Sequence, residues 1–103
     1  MVPREITFYS NKAAAFIELR RYQECVRTCD SVIAMAQSTA TGCDLAKLAK
    51  IKTRKANALT KMGKFAESVE AYESALQDNQ DEMIKKGLQE AIERKEKADD
   101  EER

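Results

Sequence analysis

At 103 residues the chain is one domain at most, with a core of modest size. Charged residues make up 35% and aromatics 6%, with three glycines and one proline, a balance that favours long amphipathic helices and leaves little for a sheet and its turns. Eighteen bases cancel eighteen acids, so no global charge points to nucleic acid or membrane, and the apolar runs are far too short for a signal peptide or a membrane span.

Pro3 sits where a first helical turn begins. Ile6, Tyr9, Ala13, Phe16 and Ile17 recur at helical spacing and predict a helix ending near Arg20-Arg21. Tyr22 opens a second helix, with Cys25, Val26, Cys29, Val32, Ile33 and Ala36 inward. Ser38 to Cys43 is small and polar and reads as a loop. Asp44 is placed to cap a helix from about Leu45 to Met62, and Gly63 to stop it in a left-handed conformation. A fourth helix, from about Phe65 to Gln77, buries Val69, Tyr72, Ala75 and Leu76. Asn79 with Glu82 reads as a cap with its reciprocal carboxylate. The fifth helix carries Met83, Ile84, Leu88, Ala91 and Ile92 along one side. Its end, 99–103, is too charged to pack and is expected to fray.

The chain repeats itself. Asn11-Lys12-Ala13-Ala14-Ala15-Phe16 and Arg21-Tyr22-Gln23-Glu24-Cys25-Val26 align with Arg54-Lys55-Ala56-Asn57-Ala58-Leu59 and Lys64-Phe65-Ala66-Glu67-Ser68-Val69 at a constant offset of 43. Each copy reads as helix, tight turn, helix, and self-similarity of this kind marks a repeat architecture. Ala13 and Ala56 let paired helices approach, Phe16 and Leu59 fill the space one turn on, and Tyr22 and Phe65 plug the turns. The fold class is therefore all-α: two helical hairpins at about 4–37 and 44–78, a capping helix at about 81–98, and a charged tail at 99–103. Stacked hairpins make a concave groove of the kind that binds peptides.

Charge is segregated along the chain. Residues 45–64 carry seven bases and no acid, and residues 67–82 six acids and no base. Either adjacent helices attract one another across exposed faces, or part of the basic set faces the groove and awaits an anion. Cys25 and Cys29 lie one turn apart on an apolar stripe and read as small buried hydrophobes, while Cys43 falls in the loop as a free thiol. With no histidine and no Cys-x-x-Cys, a zinc site lacks its ligands, and the pattern suits a reducing, cytoplasmic setting.

The small, small and aromatic positions resemble the tetratricopeptide repeat, a 34-residue helix-turn-helix unit. Lys64-Phe65-Ala66-Glu67-Ser68-Val69, with Gly63 at the turn, carries the resemblance best. The first copy departs from it, with Arg20-Arg21 at the turn, and the offset of 43 implies about nine inserted residues near 34–44. The whole chain resembles the central tetratricopeptide domain of the Hop-type co-chaperones, which organise the seventy- and ninety-kilodalton heat-shock chaperones. Tyr9-Ser10-Asn11-Lys12-Ala13-Ala14, Ala49-Lys50-Ile51-Lys52-Thr53-Arg54 followed by Asn57, and Lys85-Lys86-Gly87-Leu88-Gln89-Glu90-Ala91 carry that likeness. It implies a carboxylate clamp: Asn11 as the clamp asparagine, Lys50 and Arg54 as its lysine and arginine, with Thr7, Glu18 and Asn57 lining the groove. The implied ligand is the C-terminal peptide of the ninety-kilodalton chaperone, ending Met-Glu-Glu-Val-Asp, with the seventy-kilodalton class sharing the terminal acidic pair.

These residue types suit that ligand. Lys50 and Arg54 are four apart and project from one side of a helix, and Asn11 holds the Arg54 position one repeat earlier. A terminal aspartate presents two carboxylates, which Arg grips bidentately and Lys holds as a point charge, each charge-assisted bond contributing roughly 1.5–3 kcal/mol. The other reading of Lys50 and Arg54 is a solvated helix face.

The resemblance also implies a preceding repeat bearing a further lysine and asparagine. The chain is therefore expected to be a fragment with an incomplete clamp, leaving part of the first hairpin, including some of Ile6, Phe8 and Cys25, uncovered and prone to self-association. Competing functions are a structural or self-associating scaffold without peptide binding, and nucleic-acid binding through 45–64. Against the latter, no aromatics interleave with the bases and the next helix is acidic. No enzyme, cofactor or metal is expected: no histidine, no nucleophile beside a base and no Gly-rich phosphate loop is present.

Overall fold

The computed structural model describes residues 3–38 and 45–101. Five helices follow in order: α1 (Pro3–Glu18), α2 (Tyr22–Ser38), α3 (Leu45–Lys61), α4 (Phe65–Asp78) and α5 (Glu82–Glu101). No strand occurs among the described residues. The loop with Cys43, the Asp44 cap and the side chains of Ile6 and Ala36 lie outside them.

Two hairpins, α1–α2 and α3–α4, stack through α2 and α3, α1 packs beside α3, and α5 covers α4. Ala13 and Ala56 are buried at the hairpin crossings, where a larger side chain would force the helices apart. Around them lie two cores. One joins Ala13, Cys25, Cys29, Val32, Ile51 and Ala58; the other joins Ala49, Ala56, Leu59, Tyr72, Ala75, Ile84 and Ala91. Ile51, Ala58 and Cys25 tie the first hairpin to the second, so burial propagates from hairpin to hairpin as a solenoid requires.

Both turns close the same way. In the first, Arg21 N–H donates to Phe16 O at 2.8 Å with Arg20 at φ 61°. In the second, Lys64 N–H donates to Leu59 O at 2.9 Å with Gly63 at φ 81°. The helix α2 is longer than α4, 17 residues against 14.

Two expectations need correcting. The cap of α5 is Asp81, whose carboxylate Oδ1 accepts from Met83 N–H at 2.8 Å; Asn79 instead ends α4, donating to Ala75 O. A carboxylate two residues ahead of a free amide reaches it, which Asn79 cannot. The charged end at 99–101 does not leave the helix: α5 runs on to Glu101, with Lys95 Nζ and Asp99 Oδ2 at 3.5 Å along its surface. Of the residues expected in part to lie uncovered, Phe8 is exposed, while Cys25 is fully buried because α3 covers it.

Candidate functional site

On α3 the side chains of Lys50, Arg54 and Asn57 recur at positions i, i+4 and i+7, and on α1 Thr7, Asn11, Ala14 and Glu18 recur at i, i+4, i+7 and i+11. Such spacing keeps each set on one side of its helix. The two sets meet between α1 and α3. A groove of about 540 Å³ is lined by Ala14, Ile17 and Glu18 from α1, Lys50, Thr53, Arg54 and Asn57 from α3, and Tyr72 from α4. A depression of about 100 Å³ is lined by Thr7, Ser10, Asn11, Lys47 and Lys50. Lys50 borders both. Asn11 therefore shares a hollow with Lys50, and Lys50 shares one with Arg54; Asn11 and Arg54 line different hollows. On its other side Lys50 borders a further depression of about 340 Å³ with Asn79, Asp81 and Met83.

The two groove cations differ in freedom. Lys50 is exposed, a mobile charge on a long stem. Arg54 is half-buried and held: its Nε donates to the hydroxyl of buried Ser10 at 3.0 Å. That bond uses one of five guanidinium N–H groups and leaves four. It fixes a side chain that otherwise loses up to about 2 kcal/mol of rotamer freedom on binding. Ser10 is a residue that sequence reading passes over. A hydroxyl in an apolar-periodic stretch, between Tyr9 and Ala13, is the signal that could have found it. Tyr72, read from sequence as core, also forms part of the groove wall.

Two other bases of α3 have other work. Lys52, one of the seven bases of 45–64, does not face the groove. Two residues along a helix is the far side, and there Lys52 Nζ lies 2.6 Å from Asp78 Oδ2 of α4, with side chains only 10% and 16% exposed. The two charges therefore form a largely buried ion pair. Lys55 Nζ lies 2.6 Å from Asp30 Oδ1 of α2. Attraction between a basic helix and its neighbours thus accounts for two bases, while Lys50 and Arg54 line the groove.

Behind the groove, Cys25 Sγ lies 4.0 Å from Arg54 O, to which its thiol donates. Cys25 is held below the ordinary thiol range, chiefly because Cys29 donates to it; burial opposes the shift and the Arg54 charge adds to it. Cys29 is pushed up by the same bond and by burial. Among the described residues no group of three or more potential metal ligands converges, and no helix is long and apolar enough to cross a membrane.

Helical hairpins stacked with alanines at their crossings and a polar concave face define a tetratricopeptide-repeat domain. No protein-family model matches the chain. The solved N-terminal domain of stress-induced protein-1 from Caenorhabditis elegans superposes with a TM-score of 0.74 at 30% identity, covering 84% of this chain and 67% of that one. Stress-induced-phosphoprotein 1 of the same organism is 33% identical over 85 residues, which is 82% of this chain and 26% of the relative. Hsp70-Hsp90 organizing protein 3 of Arabidopsis thaliana is 29% identical over 91 residues, 84% of this chain and 16% of the relative. The chain thus spans about a quarter or less of these curated relatives. It belongs to the family of tetratricopeptide-repeat domains found in the stress-induced, Hop-type proteins.

Proposed function

We propose that this domain is a non-enzymatic co-chaperone adaptor module of the cytoplasm, and that its groove takes the acidic C-terminal peptide of a ninety-kilodalton heat-shock chaperone as a carboxylate clamp. The names of its relatives support a chaperone partner. One observation carries the finer reading: Lys50 stands between two adjoining hollows, with Asn11 and Thr7 in one and Arg54, Asn57 and Glu18 in the other. A terminal aspartate has two carboxylates on one residue. Lys50 with Asn11 suits one, and Arg54, already steadied by Ser10, suits the other. Apolar Ile17, Ala14 and Tyr72 give the preceding residue a surface to lie on. Only a free chain end supplies both charges, so an internal acidic segment binds less well.

The test is a calorimetric titration with the pentapeptide Met-Glu-Glu-Val-Asp and with its C-terminally amidated twin. The amidated peptide is expected to bind at least tenfold more weakly, and equal binding refutes the clamp. Arg54→Ala should weaken binding by roughly 1.5–3 kcal/mol and flatten its dependence on salt.

A second reading, a self-associating scaffold, has its own observation. Phe8 is 62% exposed on α1 and Leu19 is 64% exposed at the first turn. Sedimentation of a stable monomer at high concentration counts against it.

A further inference from the structure

We propose that Cys25 and Cys29 form a chelating dithiol site for a trivalent arsenical, and that loading it prises α2 away from α3. The two thiols are one turn apart on α2, are both fully buried, and lie in the same core cluster. Nothing in the groove chemistry uses them as nucleophiles. Neither is oxidised: both are free thiols in the structure. Thiolate sulfur is a soft ligand, and a pair of sulfurs one helical turn apart on the same face suits trivalent arsenic, which prefers two thiols to one. One thiol makes the first bond to arsenic and the other closes the chelate.

The reaction balances without a redox partner. An organoarsenic(III) oxide meets two S–H groups; two S–As bonds form, the As–O bonds break, and both thiol protons leave with the oxygen as one water. Arsenic remains trivalent and no electrons are exchanged.

Access and consequence follow from packing. Ala13, Val32, Ile51 and Ala58 close around the pair, and the Cys25 thiol donates to Arg54 O across the α2–α3 seam. There is no room for an added arsenic atom in the closed form, so capture occurs from a locally opened state. The rate should stop rising with reagent once opening becomes limiting. The adduct then holds the seam apart, because the bond from Cys25 to the Arg54 carbonyl cannot re-form. The second hairpin shows how to remove one thiol without harm: Ser68 occupies the position matching Cys25 and is equally buried.

The experiment uses phenylarsine oxide on the Cys43→Ser chain, read by intact mass, with thermal unfolding followed by circular dichroism. The expected result is one arsenical per chain, retained through a monothiol wash, released by dithiothreitol, and accompanied by a lower unfolding temperature. Cys25→Ser and Cys29→Ala, each checked for native helicity, should lose the wash-resistant adduct; should Cys25→Ser misfold, Cys25→Ala takes its place. No adduct under native conditions, an adduct only in urea, one that survives in either single-thiol variant, or one that leaves unfolding unchanged overturns the proposal. Peptide binding plays no part in these readouts, so they stand or fall apart from the clamp.

Discussion

In the second hairpin the residue that ends the first helix is Gly63, with φ 81°; in the first hairpin the matching residue is Arg20, with φ 61°. Glycine enters that conformation freely, whereas an L-residue with a side chain loses about 1–2 kcal/mol there. The contrast continues inward. The second hairpin buries a polar knot: the Ser68 hydroxyl donates to Ala56 O at 2.9 Å and shares a hydrogen bond with the Thr60 hydroxyl. The first has Cys25 and Ile17 at those places. Lys52 and Asp78 pair in the second, and Tyr9 and Met35 stand at the same positions in the first. Common to both are the buried alanines and the turn bond from the sixth residue back to the first. Close approach of the backbones therefore sets the hairpin, and the chemistry that closes it is free to differ.

Substitutions can press on that contrast. The largest effect is expected at the ion pair. Lys52→Ala strands the Asp78 carboxylate in a poorly hydrated place and should cost about 2–4 kcal/mol, discounted for its partial exposure. Lys52→Met with Asp78→Met, apolar like the first hairpin, should lie within about 1 kcal/mol of the parent. Urea midpoints measure both, and equal losses in the two variants would break the argument.

Next comes Gly87. Tyr72 fills the place held by Cys29 in the first hairpin, and its ring presses on α5 so closely that an added Cβ at Gly87 falls 2.7 Å from the ring edge. Gly87→Ala should destabilise by about 1–2 kcal/mol, although alanine is the better helix former by about 1 kcal/mol. A more stable variant would show that the ring yields. Exchanging the turns is smaller and has opposite signs: Gly63→Arg should cost about 1 kcal/mol, and Arg20→Gly should gain up to about 1 kcal/mol, both read from thermal unfolding.

The smallest effect is alkaline. The Tyr72 phenol is pushed up by burial first and by the Glu90 charge second, with Arg94 opposing. An unfolded chain gives up this proton near the ordinary value of 10.0, before the folded chain does. Stability is thus unaffected below that pH and falls as pH rises through and beyond it. Tyr72→Phe should lessen this alkaline decline.

Much of the fold was legible in the residues. Helical spacing marked all five helices, and the repeated Ala13, Phe16 and Tyr22 register marked the hairpins, because backbone approach and core filling leave a periodic trace. Spacing alone put Lys50 and Arg54 on one helix side, whereas Asn57 entered only through the family resemblance; all three border the same hollow. What escaped depends on distant pairs. Ser10 meets Arg54 across 44 residues, and Lys52 meets Asp78 across a turn, and no local pattern announces either. The choice of Asp81 over Asn79 as cap turned on where α4 stops, a boundary that propensities place only to within a few residues.

The bond from Arg54 to Ser10 has a consequence for modular design. The guanidinium is supplied by one unit, but its aim is set by the unit before it. Units of this kind are not interchangeable bricks. Grafted onto another array, the second hairpin would import its positive head without the hydroxyl that steadies it, and would pay for that loss in ordering when a guest arrives.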